Sequence, residues 1–167
     1  MTVKNLLQQM EELISEHNLL LEVAERRRQV LRQHDADGLA ACYHDELRLL
    51  ERISHLQSAW EVSAVEYMQT RGVEPSGTVT IEAIAELLPQ GEVKEQLLRA
   101  KAQIAETVSQ IKRTNLANRQ LIERTLNSID YIVELYRTDG EQDVTYHHPT
   151  AKYPSAVNTT KRFESRA

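Results

Sequence analysis

A single apolar seam, in alternating steps of three and four residues, runs through the C-terminal half of this chain. Such spacing places side chains on one face of a helix, and that face is normally buried against other helices. The pattern predicts one long amphipathic helix from about Glu92 to Tyr136. The seam consists of Leu97, Lys101, Ile104, Val108, Ile111, Asn115, Asn118 and Ile122. Past Asn118 the apolar face widens to include Leu121, Leu126, Ile129, Ile132, Val133 and Tyr136.

Two asparagines interrupt this seam three residues apart, at Asn115 and Asn118. A buried amide costs stability unless it is paired, and in return it can fix the register or the partner of a helix. The pattern favours a layer of amides that sets register where helices or a client approach.

Two more amphipathic stripes precede the seam. The first, from about Val3 to Gln33, also carries His17, which we interpret as a seam residue with a local partner. Its apolar members are Leu6, Leu7, Met10, Leu13, Ile14, Leu20, Leu21, Ala24, Val30 and Leu31. The second stripe consists of Leu39, Tyr43, Leu47, Leu50, Ile53, Leu56, Trp60, Ala64 and Met68.

The short joint between these stripes contains Asp35, Asp37 and Gly38. Either aspartate can cap the next helix through its carboxylate, and glycine weakens helix continuity. The close spacing favours an antiparallel helical hairpin. One continuous, kinked helix is the alternative.

The remaining segments are shorter. Residues 72–78 are rich in Gly, Pro and Ser and predict a loop. Thr80 can cap a short helix over residues 81–88, which Pro89 and Gly91 end. After Gly140, large apolar residues are few and lack helical spacing, which predicts an extended or flexible tail. The predicted domains are therefore a helical bundle, 1–137, and a tail, 138–167.

Composition supports an all-α fold. Aromatic residues make up only 5% of the chain, which is typical of helix seams built from Leu, Ile and Val. Because long helices cannot bury their stripes alone, we expect an elongated antiparallel bundle or coiled coil. It would contain three long helices and one short helix.

Charge and cysteine content narrow the partners and the compartment. A net charge of -5 and a pI near 5.7 disfavour nucleic acid as the main partner. The single cysteine, Cys42, excludes an internal disulfide and fits a reducing compartment. The N-terminus does not have the pattern of a signal peptide, and no apolar run approaches a membrane span. We therefore expect a soluble, cytoplasmic protein.

The sequence predicts no enzyme, cofactor or metal site. A di-metal helical bundle needs a glutamate three residues before a histidine. The residues three before His17, His34, His44 and His55 are instead Ile14, Leu31, Ala41 and Arg52. Five glycines occur in the whole chain, and none forms a phosphate-binding loop or a nucleophile elbow.

The order of these features resembles the FlgN family of flagellar export chaperones. The segments that carry the resemblance are the Leu-rich first stripe, the joint 35–39, residues 46–50, the Gly/Pro loop before Thr80, and residues 115–122. The resemblance covers most of residues 6–136, together with a tail that contains Tyr146. Of these segments, only the region around Asn115 and Asn118 is moderately specific.

The resemblance implies an all-helical chaperone rather than an enzyme. Such proteins bind the helical termini of the hook–filament junction proteins, FlgK-like and FlgL-like, in the cytoplasm. They block premature polymerisation of these clients and deliver them to the flagellar type III export gate.

The wide apolar face at the end of the last helix is the predicted client site, because it can accept an amphipathic helix in a groove. The predicted client-binding residues are Asn115, Asn118, Leu121, Ile122, Leu126, Ile129, Ile132, Val133 and Tyr136. The alternative for each is burial under the first hairpin. A coiled-coil scaffold or adaptor that self-associates is the alternative function, and a homodimer is also compatible with the seam.

Overall fold

The computed structural model describes residues 2–74 and 77–140, with side chains as far as Arg137. The described residues form four helices and no strand: α1 (Val3–Gln33), α2 (Ala36–Thr70), α3 (Ile81–Glu86) and α4 (Glu92–Gly140). The predicted all-α class, with three long helices and one short helix, is confirmed.

By its internal contacts the chain divides into two units, Met1–Ser128 and Ile129–Ala167. The first unit holds α1, α2, α3 and most of α4, and the described part of the second is the C-terminal end of α4. The predicted boundary between residues 137 and 138 stays a prediction. Residues 141–167 of the predicted tail lie outside the described residues.

The joint between α1 and α2 is a genuine break in the helix. His34 adopts a left-handed conformation with φ of 56°, which α1 cannot continue through. Asp35 then caps α2, because its carboxylate accepts a hydrogen bond from the Gly38 N–H at 2.9 Å. Of the two arrangements that the sequence left open, the structure has two separate helices.

Side-chain pairs show that α1 and α2 run antiparallel. Gln9 donates to Ser63 at 3.1 Å, Arg52 pairs with Glu16, and Arg27 pairs with Glu46. The partner's number falls as the position along α1 rises, which occurs only between antiparallel helices. The predicted helical hairpin is confirmed.

The predicted stripe of α2 is correct in its second half and wrong in its first. Ile53, Trp60, Ala64 and Met68 are buried, but Tyr43, Leu47 and Leu50 are exposed. The buried residues of the first half are Cys42 and Leu49. At 3.6 residues per turn these two lie within about 40° of Ile53 around the helix axis, whereas the three exposed residues lie roughly 60° to 120° away. The core-facing side of α2 is thus rotated from the one that the most apolar residues indicate.

The apolar stripe of α1 carries two buried polar residues. His17 is buried, and its Nδ1 lies 2.7 Å from the carbonyl oxygen of Leu13, one turn earlier in α1. This confirms the prediction of a seam histidine with a local partner. Glu16 is buried beside it and pairs with Arg52, whose guanidinium reaches in from a largely exposed position.

The short helix α3 contributes buried residues to the core. Thr80 caps it by accepting a hydrogen bond from the Ala83 N–H at 3.2 Å, as predicted. Ile84 and Ala85 of α3 are buried, as is Leu97 in the first turns of α4. Lys101 of α4 pairs with Glu82.

Candidate protein-binding face on the last helix

The seam of α4 changes from buried to exposed near the middle of the helix. Of the predicted seam, Leu97, Ile111 and Asn118 are buried, Ile104, Val108 and Asn115 are half-buried, and Lys101 is exposed. Ala100 and Thr107, each one residue before a predicted seam position, are also buried. Continuing at the same spacing of three and four residues, the side chains of the following segment are between 38% and 77% exposed. We call this segment the distal face and define it as Ile122, Leu126, Ile129, Ile132, Val133 and Tyr136.

Asn118 is the last fully buried position of the seam. Its side chain is only 2% exposed, and Nδ2 donates a hydrogen bond to the backbone carbonyl of Ala24 at 2.8 Å. The amide oxygen of Asn118 is buried without a hydrogen-bond partner among the described residues. A side chain that bonds to one particular backbone carbonyl is a physical basis for fixed register between α1 and α4.

A second contact defines the direction of α4. Thr107 donates a hydrogen bond to Asn18 of α1 at 3.3 Å. The residue numbers increase on both helices from the contact of Asn18 with Thr107 to the contact of Ala24 with Asn118. The two helices α1 and α4 are therefore parallel. Because α2 is antiparallel to α1, it is antiparallel to α4 as well.

The end of α1 accounts for the change in exposure along α4. The two contacts correspond to sequence offsets of 89 and 94 residues. Counting these offsets from Gln33, the last residue of α1, reaches Ile122 and Asn127. Beyond these positions α1 offers no residue to cover the seam, and this is where the distal face begins.

The predicted client-binding residues fall into two groups. Asn118 is buried, and Asn115 and Leu121 are half-buried, so the first unit already covers much of their surface. The other six are the exposed residues of the distal face. The burial of Asn118 shows its contact with α1, whereas client binding by these nine residues stays a prediction.

Neighbouring polar groups leave the distal face apolar. The hydroxyl of Thr125 donates to the carbonyl of Leu121 at 3.0 Å, and that of Ser128 donates to the carbonyl of Arg124 at 2.9 Å. Both hydroxyl donors are therefore satisfied within α4. Arg119 and Glu123 form an ion pair along the helix at 2.9 Å. The charges lie beside the seam and the apolar residues on it, an arrangement that suits contact with another helix.

Other exposed apolar residues lie outside the predicted site. Tyr43, Leu47 and Leu50 are on α2, on the side that the sequence predicts to be buried. Tyr131 of α4 is 66% exposed and lies off the seam. A signal for the α2 residues was available in Cys42 and Leu49, which define a second stripe at the same spacing.

No group of three or more His, Cys, Asp or Glu residues that could hold a metal ion occurs in ranges 2–74 and 77–140. None of the helices in these ranges combines the length and the hydropathy of a membrane-spanning segment.

Comparison with known proteins identifies the class. A family model described as FlgN protein matches residues 1–153. The chain belongs to the FlgN family. The resemblance noted from the sequence is thereby confirmed. Searches of curated proteins and of solved structures each found no match.

Membership of the FlgN family gives the general role. FlgN proteins are flagellar chaperones, and the family is not one of known enzymes. This membership favours a chaperone over the alternative of a coiled-coil scaffold.

Proposed function

We propose that this protein is a cytoplasmic export chaperone for hook–filament junction proteins of the FlgK-like and FlgL-like kind. It binds a terminal amphipathic helix of the client on the distal face of α4. It then delivers the client to the flagellar export gate.

The exposure of the distal face is the observation that carries this proposal. Its apolar side chains continue the spacing of a seam that is buried further up the same helix. Apolar surface of this extent on a helix usually marks an interaction site. Residues 122–136 would span roughly 20 Å along the helix axis, since an α-helix rises 1.5 Å per residue. That length matches about four turns of a partner helix.

The chemistry of the face selects the class of client. An amphipathic helix with apolar residues three and four positions apart can pack against such a surface and leave its polar side in water. The helical termini of junction proteins, which the FlgN resemblance implies as clients, meet this requirement. Covering them would also hide the surface through which they polymerise, so one contact would serve both binding and the prevention of premature assembly.

The decisive experiment replaces two central residues of the distal face with aspartate. Ile129→Asp with Val133→Asp should abolish binding of a junction-protein terminal peptide, measured by isothermal titration calorimetry, because two charges would have to be buried against apolar surface. Far-UV circular dichroism should remain close to that of the wild type, because both residues are about half exposed.

A matched control places the same two charges elsewhere on the same helix. Gln120 and Asn127 are exposed and lie on the side of α4 opposite Ile129. Gln120→Asp with Asn127→Asp should bind the peptide like the wild type. If the Ile129 and Val133 variant unfolds, the face belongs to the core. If it folds and still binds, the client sits elsewhere, and the hairpin of α1 and α2 becomes the next candidate.

A further inference from the structure

We propose that the hairpin of α1 and α2 carries a second interaction surface, which binds an acidic amphipathic helix of another protein. This surface is an open groove of about 500 Å³ between the two helices, with an arginine rim and an apolar floor. We call it the arginine groove and define it as Arg26, Arg48, Arg52, Leu19, Val23 and Leu49. The proposal goes beyond the chaperone role, because the groove belongs to other helices than the distal face and its ligand is not a junction protein.

The arginine groove lies on the side of α1 that is turned away from α4. At 3.6 residues per turn, Leu19 and Arg26 lie roughly 140° to 160° around α1 from Ala24, which bonds to Asn118 of α4. A ligand in the groove would therefore leave the contact between α1 and α4 intact. On each helix the groove extends over roughly 10 Å, which is two helical turns.

The floor of the groove is apolar. Val23 and Leu49 are buried, and Leu19 is exposed beside them. An apolar side chain of a partner helix would cover Leu19 and remove its surface from water, which is favourable.

The ion pairs of the rim place the positive groups outermost. Asp45 pairs with both Arg26 and Arg48, and Glu16 pairs with Arg52. The side chains of Arg48 and Arg52 are 78% and 64% exposed, whereas those of Asp45 and Glu16 are 33% and 7% exposed. An approaching ligand therefore meets the guanidinium groups before it meets the carboxylates beneath them.

The rim arginines keep hydrogen-bond donors for a ligand. A guanidinium has five N–H donors in a planar fork that matches a carboxylate. Arg48 uses one nitrogen for Asp45 at 3.1 Å, and Arg52 uses one for Glu16. Arg48 and Arg52 are one turn apart on α2, so two carboxylates one turn apart on a partner helix would pair with both.

These features select the chemistry of the partner. The helix that fits has a row of apolar residues for the floor and, beside it, a row of glutamates for the rim. Glu22 also lines the groove and is exposed, so its carboxylate repels such a ligand. Because the rim is exposed to water, each charge pair contributes little and added salt should weaken binding.

Fluorescence anisotropy tests the groove with a synthetic probe. The probe is a labelled helical peptide that contains the segment Glu-Ala-Ala-Leu-Glu-Ala-Ala-Leu, and a control peptide has glutamine in place of both glutamates. The wild type should bind the probe more tightly than the control peptide. Arg48→Gln should raise the dissociation constant of the probe by up to roughly fivefold, and Leu19→Ala should raise it as well. Glu22→Gln should lower it, because the substitution removes a like charge.

Arg113→Gln is the matched control variant. Arg113 is an exposed arginine that pairs with Glu106 on α4 at 3.2 Å, as Arg48 pairs with Asp45 on α2. The control variant should bind the probe like the wild type. A wild type that does not bind the probe, or equal effects of Arg48→Gln and Arg113→Gln, overturns the proposal. A dissociation constant that is unchanged by Leu19→Ala also overturns it.

The variant with Ile129→Asp and Val133→Asp separates this proposal from the chaperone proposal. It should bind the acidic probe like the wild type while it loses the junction-protein peptide. Loss of the acidic probe in this variant would assign the probe to the distal face and overturn the groove proposal. Failure of the junction-protein peptide to bind the wild type would overturn the chaperone proposal and leave the groove proposal standing.

Discussion

Asn118 of α4 donates a hydrogen bond from Nδ2 to the backbone carbonyl of Ala24 in α1 across 2.8 Å. The bond marks the end of the covered part of the α4 seam. On one side of it, Ile111 is buried, and on the other, Ile122 is exposed. The Asn118 amide therefore lies at the boundary between the buried residues of the α4 seam and the exposed residues that are available to a partner.

We expect Asn118→Leu to change register more than stability. The substitution removes one hydrogen bond but also removes a buried amide oxygen that has no described partner. Because replacing a buried polar group by an apolar one of similar shape can be nearly neutral, the free energy of unfolding should change by less than about 1 kcal/mol. Urea denaturation measures this change.

The register itself can be measured with spin labels on exposed positions of the two helices, such as Glu25 and Gln120. The distance distribution between them should be narrow in the wild type and broader in Asn118→Leu. An equally narrow distribution in the variant would show that apolar packing alone sets the register. Asn118→Ala serves as a comparison that leaves a cavity as well.

Ile53→Ala and Leu50→Ala should differ in their effect on stability. Ile53 is 6% exposed and Leu50 is 47% exposed. Removing a fully buried side chain of this size costs roughly 2 to 5 kcal/mol, whereas a substitution on the surface costs about 0.5 kcal/mol or less. Melting midpoints or urea titrations of both variants measure the difference. Equal losses would mean that Leu50 is covered by a part of the protein outside the described residues.

Gly38→Ala should destabilise the hairpin even though alanine is the better helix former. A Cβ atom at this position would clash with an oxygen of the Asp35 carboxylate. The carboxylate would have to leave its capping position, and loss of a cap costs about 1 kcal/mol. In an Asp35→Ala background the clash with the carboxylate disappears and only a close contact with Val30 Cγ1 at 3.2 Å remains, so Gly38→Ala should be much less destabilising there. Additive losses in the double variant would show that the cap is not the cause.

The parts of this structure differ in how far they could be predicted from the sequence. The hairpin joint could be predicted, because Asp35 and Gly38 act locally. The face of α2 was ambiguous, because the sequence offers two stripes at the same spacing, and Tyr43, Leu47 and Leu50 are as apolar as Cys42 and Leu49. Choosing between them depends on the position of α1, and in particular on the pair of Arg27 with Glu46.

The candidate site was also predictable only in part. The apolar spacing of the distal face is visible in the sequence, but the point at which it becomes exposed is not. That point depends on the register between α1 and α4, which the contacts of Asn18 with Thr107 and of Ala24 with Asn118 set. Neither contact has a signal in the sequence beyond the position of the amides on the seam.

Replacing either Ile111 or Ile129 of α4 with alanine should distinguish a residue needed for folding from one needed for client binding. Ile111 is buried and Ile129 is half exposed, and both lie on one seam of one helix. Ile111→Ala should lower the free energy of unfolding by roughly 2 to 5 kcal/mol because it leaves a cavity. Ile129→Ala should change it by about 0.5 kcal/mol or less.

For the affinity of a junction-protein terminal peptide, Ile129→Ala should have a larger effect than Ile111→Ala. Residues at the centre of an interface carry most of the binding energy, and truncating one commonly costs more than about 1 kcal/mol. Ile129→Ala should therefore weaken binding by roughly fivefold or more, while Ile111→Ala should leave it unchanged under conditions in which the protein is folded. Urea titration and isothermal titration calorimetry on both variants measure the two effects. If Ile129→Ala instead lowers stability as much as Ile111→Ala and leaves peptide affinity intact, the distal face is part of the folded core, and the client must bind another surface.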